Sequence, residues 1–97
     1  MVIEYLTFHI DPTERDTWMA AEEVTWSRFL EQQPGFVAKQ MWVERDRPDE
    51  VIAVITWQDE ASWHAIPADE LAAVDASMGA AFLNATSCRV FDVIRNS

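Results

Sequence analysis

Two acidic residues occupy positions that the hydrophobic pattern assigns to a protein interior. Glu22 lies on an apolar helical stripe with Trp18 and Trp26. Glu4 shares one face of an alternating segment with Leu6. An unpaired carboxylate is costly to bury, so each must meet a partner, a water molecule or a ligand. Two inward carboxylates could act as proton donor and acceptor, with pKa values pushed apart by their proximity.

The same two residues also have a structural interpretation, which the sequence leaves open. Glu22 would then reach the edge of its stripe and pair with a basic side chain, for which Arg89, Lys39 and Arg28 are available. Glu4 would lie near an edge of the sheet. Acidic residues are rarely buried without a partner, which favours this interpretation.

The aromatic content is high for so short a chain, with five tryptophans and five phenylalanines in 97 residues. Each large ring can bury about 150–250 Å², and a small domain buries a smaller share of its surface than a large one. We therefore predict that some rings line a ligand cavity or are covered by a second subunit. Trp18, Trp26 and Trp63 are the candidates for an aromatic box around a flat ligand, although each ring taken singly is better explained as core. Trp57, at the end of a strand, is interpreted as structural.

Other kinds of chemistry find little support in the sequence. His9 and His64 are the only imidazoles, and no His/Cys/Asp cluster has the spacing of metal ligands, so we predict no metal. Cys88 has no base near it in the sequence. Gly35 and Gly79 are the only glycines, which excludes a glycine-rich phosphate loop. We expect no nucleotide cofactor, and no cofactor of any other kind is predicted.

Length and charge limit the possible partners. The 97 residues correspond to one domain, 1–97, and 7 basic against 17 acidic residues give a net charge of −10. This charge argues against nucleic acid and against an anionic membrane surface. No apolar run approaches the roughly 20 residues of a membrane helix, and Met1 leads into a patterned segment without a basic leader. We predict a small, soluble, acidic domain in the cytoplasm.

Periodicity and turn signals predict the order β-α-β-β-α-β. The predicted elements are a strand at 2–10, a helix from Pro12 to about Gln32 or Gln33, strands Phe36–Glu44 and Val51–Trp57, a short helix from Glu60 to about Ile66, a helix from Ala68 to about Leu83 and a last strand at 87–95. This is the ferredoxin-like α+β pattern, a four-stranded antiparallel sheet with helices on one face. The other face would carry Ile3, Tyr5 and His9, and such a face is usually covered by another subunit.

Local signals set the expected boundaries and faces. Asp11 has the residue type of a helix N-cap, and Glu14 stands at the capping-box spacing from it. Asp59 is the expected cap of the short helix. Alternation in the second strand places Phe36 on one face with Trp42, and places Lys39 on the opposite face.

Three segments carry a family resemblance that spans nearly the whole chain. They are Pro34-Gly35-Phe36 after the first helix, Glu50 through Trp57 in the third strand, and Asp59-Glu60-Ala61 followed by Trp63. They resemble the dimeric α+β-barrel superfamily, whose best-known branch is the antibiotic-biosynthesis-monooxygenase-like proteins. The opening Met1–Leu6 with Trp57 and Trp63–Pro67 is most similar to an uncharacterised branch. The resemblance implies a homodimer whose sheets pair into a barrel, with a cleft between helices and sheet in each subunit.

The resemblance also implies a choice among activities, which include oxygenation of aromatic polyketides without a cofactor, haem degradation and lactone isomerisation. The haem-degrading members use an asparagine, a tryptophan and a histidine. The resemblance aligns those three positions with Leu6, Ile66 and Ala76 here, and the lack of the required residues argues against haem degradation. No catalytic residue transfers from the polyketide oxygenases. We therefore predict a homodimer that binds a flat, apolar molecule and oxygenates or isomerises it without metal or nucleotide. The alternative is a non-catalytic ligand-binding or structural dimerisation module.

Overall fold

An antiparallel sheet with helices packed on one face makes up the protein, in a computed structural model that describes residues 1–97. The strands are β1 Val2–His9, β2 Phe36–Glu44, β3 Arg47–Trp57 and β4 Ser87–Asp92. The helices are α1 Arg15–Glu22, α2 Arg28–Glu31, α3 Glu60–His64 and α4 Ala68–Ser77, with a π-helical segment at Glu23–Ser27 and a 3-10 turn at Gly79–Ala81. The strand order is β2-β3-β1-β4. The predicted ferredoxin-like α+β fold is confirmed.

Strand register determines which side chains face the helices. Because side chains alternate along a strand, every second residue of β1 lies on the helix-covered face. Their partners on β3 lie on the same face. The pairs are Val2 with Trp57, Glu4 with Ile55, Leu6 with Ala53 and Phe8 with Val51. Lys39 of β2 pairs with Ile55 from the other side, so Glu4 and Lys39 flank one residue in a single row across the sheet.

The prediction that Phe36 shares a face with Trp42 is wrong. A register shift separates Phe36 from Ala38, and such an irregularity breaks strict alternation along the strand. Phe36 therefore pairs with Trp57, and the two ring centroids lie 6.0 Å apart. Phe36 joins Lys39 on the helix-covered face, where it packs against the buried Trp57.

The predicted cap of the first helix is also wrong. Asp11 Oδ1 accepts hydrogen bonds from the backbone N–H of Thr13 at 2.9 Å and from its hydroxyl at 2.7 Å. This closes a local turn of the kind that Asp and Asn favour. The Asp11 carboxylate is thus used before the helix begins. Helix α1 starts at Arg15, and its N-cap, Glu14, makes no side-chain capping bond.

A π-helical segment interrupts the first helix, which the sequence predicts to be continuous. The segment is Glu23–Ser27, and the N–H of Arg28 donates to the carbonyl of Glu23, five residues earlier. A π turn aligns residues five apart, whereas an α-helix aligns residues three and four apart. This local change places Ser27 beside Glu22.

Two further boundaries differ clearly from prediction. Strand β3 begins at Arg47 rather than Val51, which shortens the hairpin turn. Helix α4 ends at Ser77 rather than near Leu83, because Gly79 adopts a φ of +58°, which a right-handed helix does not accommodate. Asp59 caps α3 as predicted, accepting from the N–H of Ser62 at 2.7 Å. The other ends lie close to prediction, at Glu31, His64 and Asp92.

Two groups of buried apolar side chains fill the layer between sheet and helices. One group contains Trp57, which is fully buried, with Val2, Leu30 and Ile55. The other consists of Ile10, Trp18, Val51 and Met78. Partly buried rings border both groups, and Trp26 packs against each of them. The candidate site lies between these two groups.

Candidate functional site

A cavity of about 410 Å³ lies between the sheet and the helices. Sixteen of its 22 lining residues are hydrophobic, and its volume falls within the range of roughly 300–1,000 Å³ found for small-molecule sites. The five residues that the sequence singles out as ligand-binding candidates all line it: Glu4, Trp18, Glu22, Trp26 and Trp63. Their role in binding remains a prediction, but the chain brings them to one place.

The cavity floor is shaped by the small side chain of Ala53. This residue lies on β3, one of the two central strands, and faces Leu6 on β1 and Met41 on β2. Its neighbours on the same face of β3 are the larger Val51 and Ile55. A methyl group at this point leaves space above the strand that a branched side chain would occupy.

Six polar residues interrupt the apolar lining, and three of them meet on one side. The six are Glu4, Glu22, Lys39, His64, Asp75 and Asn84. Glu4 and Lys39 come from the row that crosses the sheet at Ile55. Glu22 reaches the same place from α1. A few polar groups in an apolar pocket orient a ligand more than they strengthen its binding.

Glu22 is held in a buried ion pair. Its residue is only 4% exposed, and its carboxylate pairs with the Lys39 ammonium. The hydroxyl of Ser27 donates to this carboxylate, at 3.0 and 3.1 Å from its two oxygens, and accepts from Lys39 Nζ at 3.0 Å. Of the three partners that the sequence leaves open, the structure selects Lys39 rather than Arg89 or Arg28. Glu22 is thus neutralised by a neighbour rather than left free.

Lys39 is almost as buried as its partner, with a side chain only 8% exposed. Burial lowers the pKa of Lys39 to about 8, and the nearby Glu4 carboxylate acts in the opposite direction. The ammonium therefore remains protonated at neutral pH. A charged lysine in an apolar cavity is favourable only while it stays paired with the Glu22 carboxylate.

Glu4 is the less satisfied of the two carboxylates. Its Oε1 accepts a hydrogen bond from Trp57 Nε1 at 3.2 Å, and its second oxygen makes no hydrogen bond within the protein. Burial raises the pKa of Glu4 above its ordinary value, while Trp57, Lys39 and His64 act in the opposite direction. The proposed sheet-edge position of Glu4 is wrong, because β1 lies between β3 and β4.

Replacing Glu4 by glutamine is expected to stabilise the protein at neutral pH. A raised carboxyl pKa adds stability that is fully present below the ordinary value of 4.5 and is lost as the pH rises through the folded-state pKa. Glu4→Gln avoids this loss of stability, because glutamine carries no charge at any pH. Its amide oxygen can still accept the hydrogen bond from Trp57 Nε1. Its melting temperature should exceed the wild-type value at neutral pH, by about 4–8 °C per kcal/mol relieved, and the difference should vanish in acid. Glu23→Gln, at an exposed position, is the matched control; an equal rise there would contradict the explanation.

The tryptophans of the cavity make different contacts. Trp26 meets Phe29 edge to face, with ring centroids 6.0 Å apart, and Trp63 stacks on His64, with ring centroids 4.4 Å apart. Trp18 packs against Phe8, with ring centroids 5.0 Å apart. The buried Nε1 of Trp18 has no hydrogen-bond partner. A buried donor without an acceptor is unusual in a folded protein. An oxygen atom of a bound molecule is one group that could satisfy it.

The remaining titratable candidates lie away from the centre of the cavity. His9 pairs with Asp49 on the surface at 3.4 Å, and His64 pairs with Glu60 at 3.1 Å at the cavity margin. No three His, Cys, Asp or Glu residues come together in a group that could hold a metal ion. No helix is long and apolar enough to cross a bilayer.

Sequence reasoning named Lys39 only as one of three possible partners of Glu22, and it missed Ser27. Alternation in β2 predicts that Lys39 lies on the face opposite Trp42, and the strand pairing shows that this face is the one covered by helices. Ser27 carries no such signal, since an α-helical reading separates it from Glu22 and only the π turn joins them. The sequence therefore offers Lys39 as a candidate partner, whereas the contact of Ser27 with Glu22 appears only in the structure.

Comparison with known proteins fits this geometry. A model of the antibiotic biosynthesis monooxygenase family matches residues 1–66. The chain belongs to this family. No curated protein matches the chain closely enough to be counted as a relative. The family assignment confirms the resemblance noted in the sequence, and it covers the strands and helices that supply Glu4, Glu22 and Lys39.

Solved structures show the same fold at low sequence identity. A Streptomyces coelicolor monooxygenase, from the gene ActVA-Orf6 and in complex with nanaomycin D, has a TM-score of 0.72 at 13% identity, covering 99% of this chain and 88% of that one. A variant of SnoaB, a cofactor-independent oxygenase from Streptomyces nogalater, has a TM-score of 0.60 at 23% identity, covering 98% and 92%. A conserved protein from Methanosarcina mazei has a TM-score of 0.70 at 14% identity, covering 93% and 89%.

Proposed function

We propose that this family member binds a flat, largely apolar molecule in its cavity and promotes the reaction of that molecule with O₂ without metal or nucleotide. The observation that carries the proposal is the apolar cavity of about 410 Å³, with a buried acid–base group on one side. Nanaomycin D, the ligand of the Streptomyces coelicolor monooxygenase, and the cofactor-independent oxygenase activity of SnoaB support the same class of chemistry. The acidic composition and single cysteine fit a cytoplasmic location.

The aromatic lining of the cavity favours a planar ligand. Indole rings of Trp18, Trp26 and Trp63 contribute to its walls, and aromatic rings interact well with other rings by offset or edge-to-face contacts. The polar lining is confined to a few residues, so most of the ligand surface must be apolar. A fused-ring molecule with one or two oxygen substituents meets both requirements.

Oxygenation without a cofactor requires an electron-rich organic anion. Removing a proton from an activated ring leaves an electron pair that O₂ can accept, and anthrone is the simplest example. Anthrone and O₂ give anthraquinone and water: two C–H bonds of one carbon are lost, one oxygen atom becomes the new carbonyl and the other leaves as water. Isomerisation begins with the same proton removal, so O₂ consumption separates the two reactions.

The test is to incubate the chelator-treated protein with anthrone and to follow O₂ uptake and anthraquinone formation. We expect protein-dependent conversion with one O₂ consumed for each anthraquinone formed, together with quenching of tryptophan fluorescence as anthrone binds. Quenching without turnover would contradict the oxygenase and indicate a ligand-binding module. If the protein shows no quenching and no turnover, the result would contradict the proposed ligand site as a whole.

We propose further that the protein is a homodimer formed through the open sheet face. That face carries an aromatic cluster in which Tyr5 contacts Trp42 at 6.5 Å and Phe91 at 5.6 Å, with the Arg89 guanidinium 5.0 Å from the Phe91 ring. Trp42 remains 47% exposed and Phe91 39% exposed. Tryptophan, tyrosine and arginine are the residues that most often dominate the energy of an interface.

Changing Trp42 to glutamate should break this dimer. A charge at the centre of an apolar contact loses the packing of the ring and must be desolvated, so we expect the dimer to weaken at least about tenfold. Sedimentation across a micromolar concentration series measures this change. Val24→Glu, at a residue 58% exposed on the helical side, is the control and should leave the dimer intact. A wild-type protein that is monomeric throughout would contradict the proposal.

A further inference from the structure

We infer that Glu4 and Lys39 act together on one ligand oxygen, with Glu4 accepting its proton and Lys39 holding the resulting oxyanion. This inference rests on the proposed function and deepens it by assigning the ligand a specific chemistry. The ligand would be a planar phenol or enol whose hydroxyl points at the sheet, with its apolar body toward the helices.

The position of the two residues in the sheet supports this assignment. Glu4 on β1 and Lys39 on β2 both pair with Ile55 on the strand between them. Neighbouring strands are about 4.8 Å apart, so the two backbones are separated by roughly 10 Å. The two side chains rise on the same face over Ile55 and do not form an ion pair with each other. An atom bound above Ile55 would lie within reach of both.

Each of the two groups keeps unused hydrogen-bonding capacity. One oxygen of Glu4 accepts from Trp57, and the other has no partner in the protein. The Lys39 ammonium has three N–H groups, of which Glu22 and Ser27 take two. A free acceptor and a free donor therefore line the same side of an apolar cavity. A ligand hydroxyl satisfies both, because it donates to one and accepts from the other.

The two carboxylates of the cavity consequently have different roles. Both oxygens of Glu22 are engaged by Ser27 and Lys39, so Glu22 holds the lysine in position. Glu4 has one oxygen free, and burial raises its pKa, which makes it a stronger base than an ordinary carboxylate. The other ionisable groups around the cavity are His64 from α3, Asp75 from α4 and, beside β1, Cys88 on β4.

The proposed step is a single proton transfer. The O–H bond of the ligand breaks, the proton passes to the free oxygen of Glu4, and the electron pair stays on the ligand oxygen beside the Lys39 ammonium. Charge is conserved, since a carboxylate and a neutral ligand become a carboxylic acid and an anion. In a site with little water, an ammonium stabilises such an oxyanion more strongly than it does in bulk solvent.

A coloured probe tests this step without any turnover. A monohydroxyanthraquinone absorbs at longer wavelength when its hydroxyl ionises, and its methyl ether has the same rings but no proton to lose. Bound to wild-type protein at neutral pH, the hydroxyl compound should show the spectrum of the anion. It should also bind about tenfold more tightly than the ether, the gain expected of a charge-assisted hydrogen bond.

Three variants assign the effect to residues. With Glu4→Gln, the hydroxyl compound should still bind but should show the spectrum of the neutral form, and its affinity should fall to within about twofold of the ether. With Glu22→Gln combined with Lys39→Met, which leaves no charge in the ion pair, the anion spectrum should also disappear. Asp69→Asn removes an exposed carboxylate of α4 that lies outside the cavity lining and should leave the anion spectrum unchanged.

The outcomes separate this inference from the proposed function. Binding of both probes with no anion spectrum, or an anion spectrum that persists in Glu4→Gln, would overturn the roles of Glu4 and Lys39 and leave the cavity as a binding site. Failure of both probes to bind would overturn the two proposals together. Circular dichroism of each variant confirms that the protein is folded before the probes are added.

Discussion

Replacing Lys39 by methionine is expected to destabilise the protein by about 3–5 kcal/mol, the usual cost of removing one partner from a buried ion pair. Methionine fills a similar volume, so the loss comes from charge rather than packing. The Glu22 carboxylate, at 4% exposure, would keep only the hydroxyl of Ser27. For a domain of this size, thermal denaturation should show a fall of about 4–8 °C in melting temperature for each kcal/mol lost.

A second substitution should reverse most of this loss. Glu22→Gln in the Lys39→Met background leaves no charge at the site of the ion pair, and a glutamine oxygen can still accept from Ser27. Replacing both members of a buried pair with neutral groups is often close to neutral in stability. If the double variant is no more stable than Lys39→Met alone, the ion pair is not the reason that Lys39 is needed.

Changing Ala53 to leucine is expected to reduce ligand affinity on the order of 100-fold, equivalent to about 2.8 kcal/mol. The side chain at this position points from a central strand into the cavity, between Leu6 and Met41. A leucine there would occupy the space that we assign to the ligand. Because the space is already present, the fold should tolerate the added carbons, and the melting temperature should stay the same or rise. Fluorescence titration with the methyl ether of monohydroxyanthraquinone measures the affinity.

A matched substitution separates cavity filling from a general effect of leucine. Ala72→Leu makes the same chemical change at an exposed position of α4 and should leave the affinity unaltered. Wild-type affinity in Ala53→Leu would show that the ligand binds somewhere other than above β3. Equal losses in both variants would point to an effect on folding rather than on the site.

Much of the fold could be predicted because its strands follow simple periodicity. The alternation at the start of the chain places Glu4 on the same face as Val2, and β1 has that register. The apolar run that ends at Trp57 predicts a central strand, and β3 pairs on both sides. These inferences succeed because side-chain alternation in a strand depends on backbone geometry and little else.

The errors arose where the backbone departs from a regular period. A register shift after Phe36 reverses the face of that ring, and the π segment brings Ser27 to Glu22. At Asp11 the side chain closes a turn with Thr13 instead of capping a helix. Each case is a competition between local hydrogen bonds, and residue type alone does not determine which one wins.

The site could be predicted in outline but not in its connections. Hydrophobic periodicity is sufficient to place Glu22 on the buried side of the first helix. A buried carboxylate needs a partner that offsets its charge. The choice of Lys39 over Arg89 and Arg28 depends on which strands are neighbours, and therefore on tertiary structure. The difference between Glu4 and Glu22 follows from that choice, since the carboxylate without the lysine keeps a free oxygen.

A crystal structure of the protein soaked with the methyl ether of monohydroxyanthraquinone would test the central claim most directly. We predict that the rings lie above Ala53, between the sheet and the helices, in contact with Trp26 and Trp63, and that the cavity keeps a volume close to 410 Å³. Tryptophan side chains that collapse into this space, with the compound absent or bound only on the outer surface, would contradict the claim.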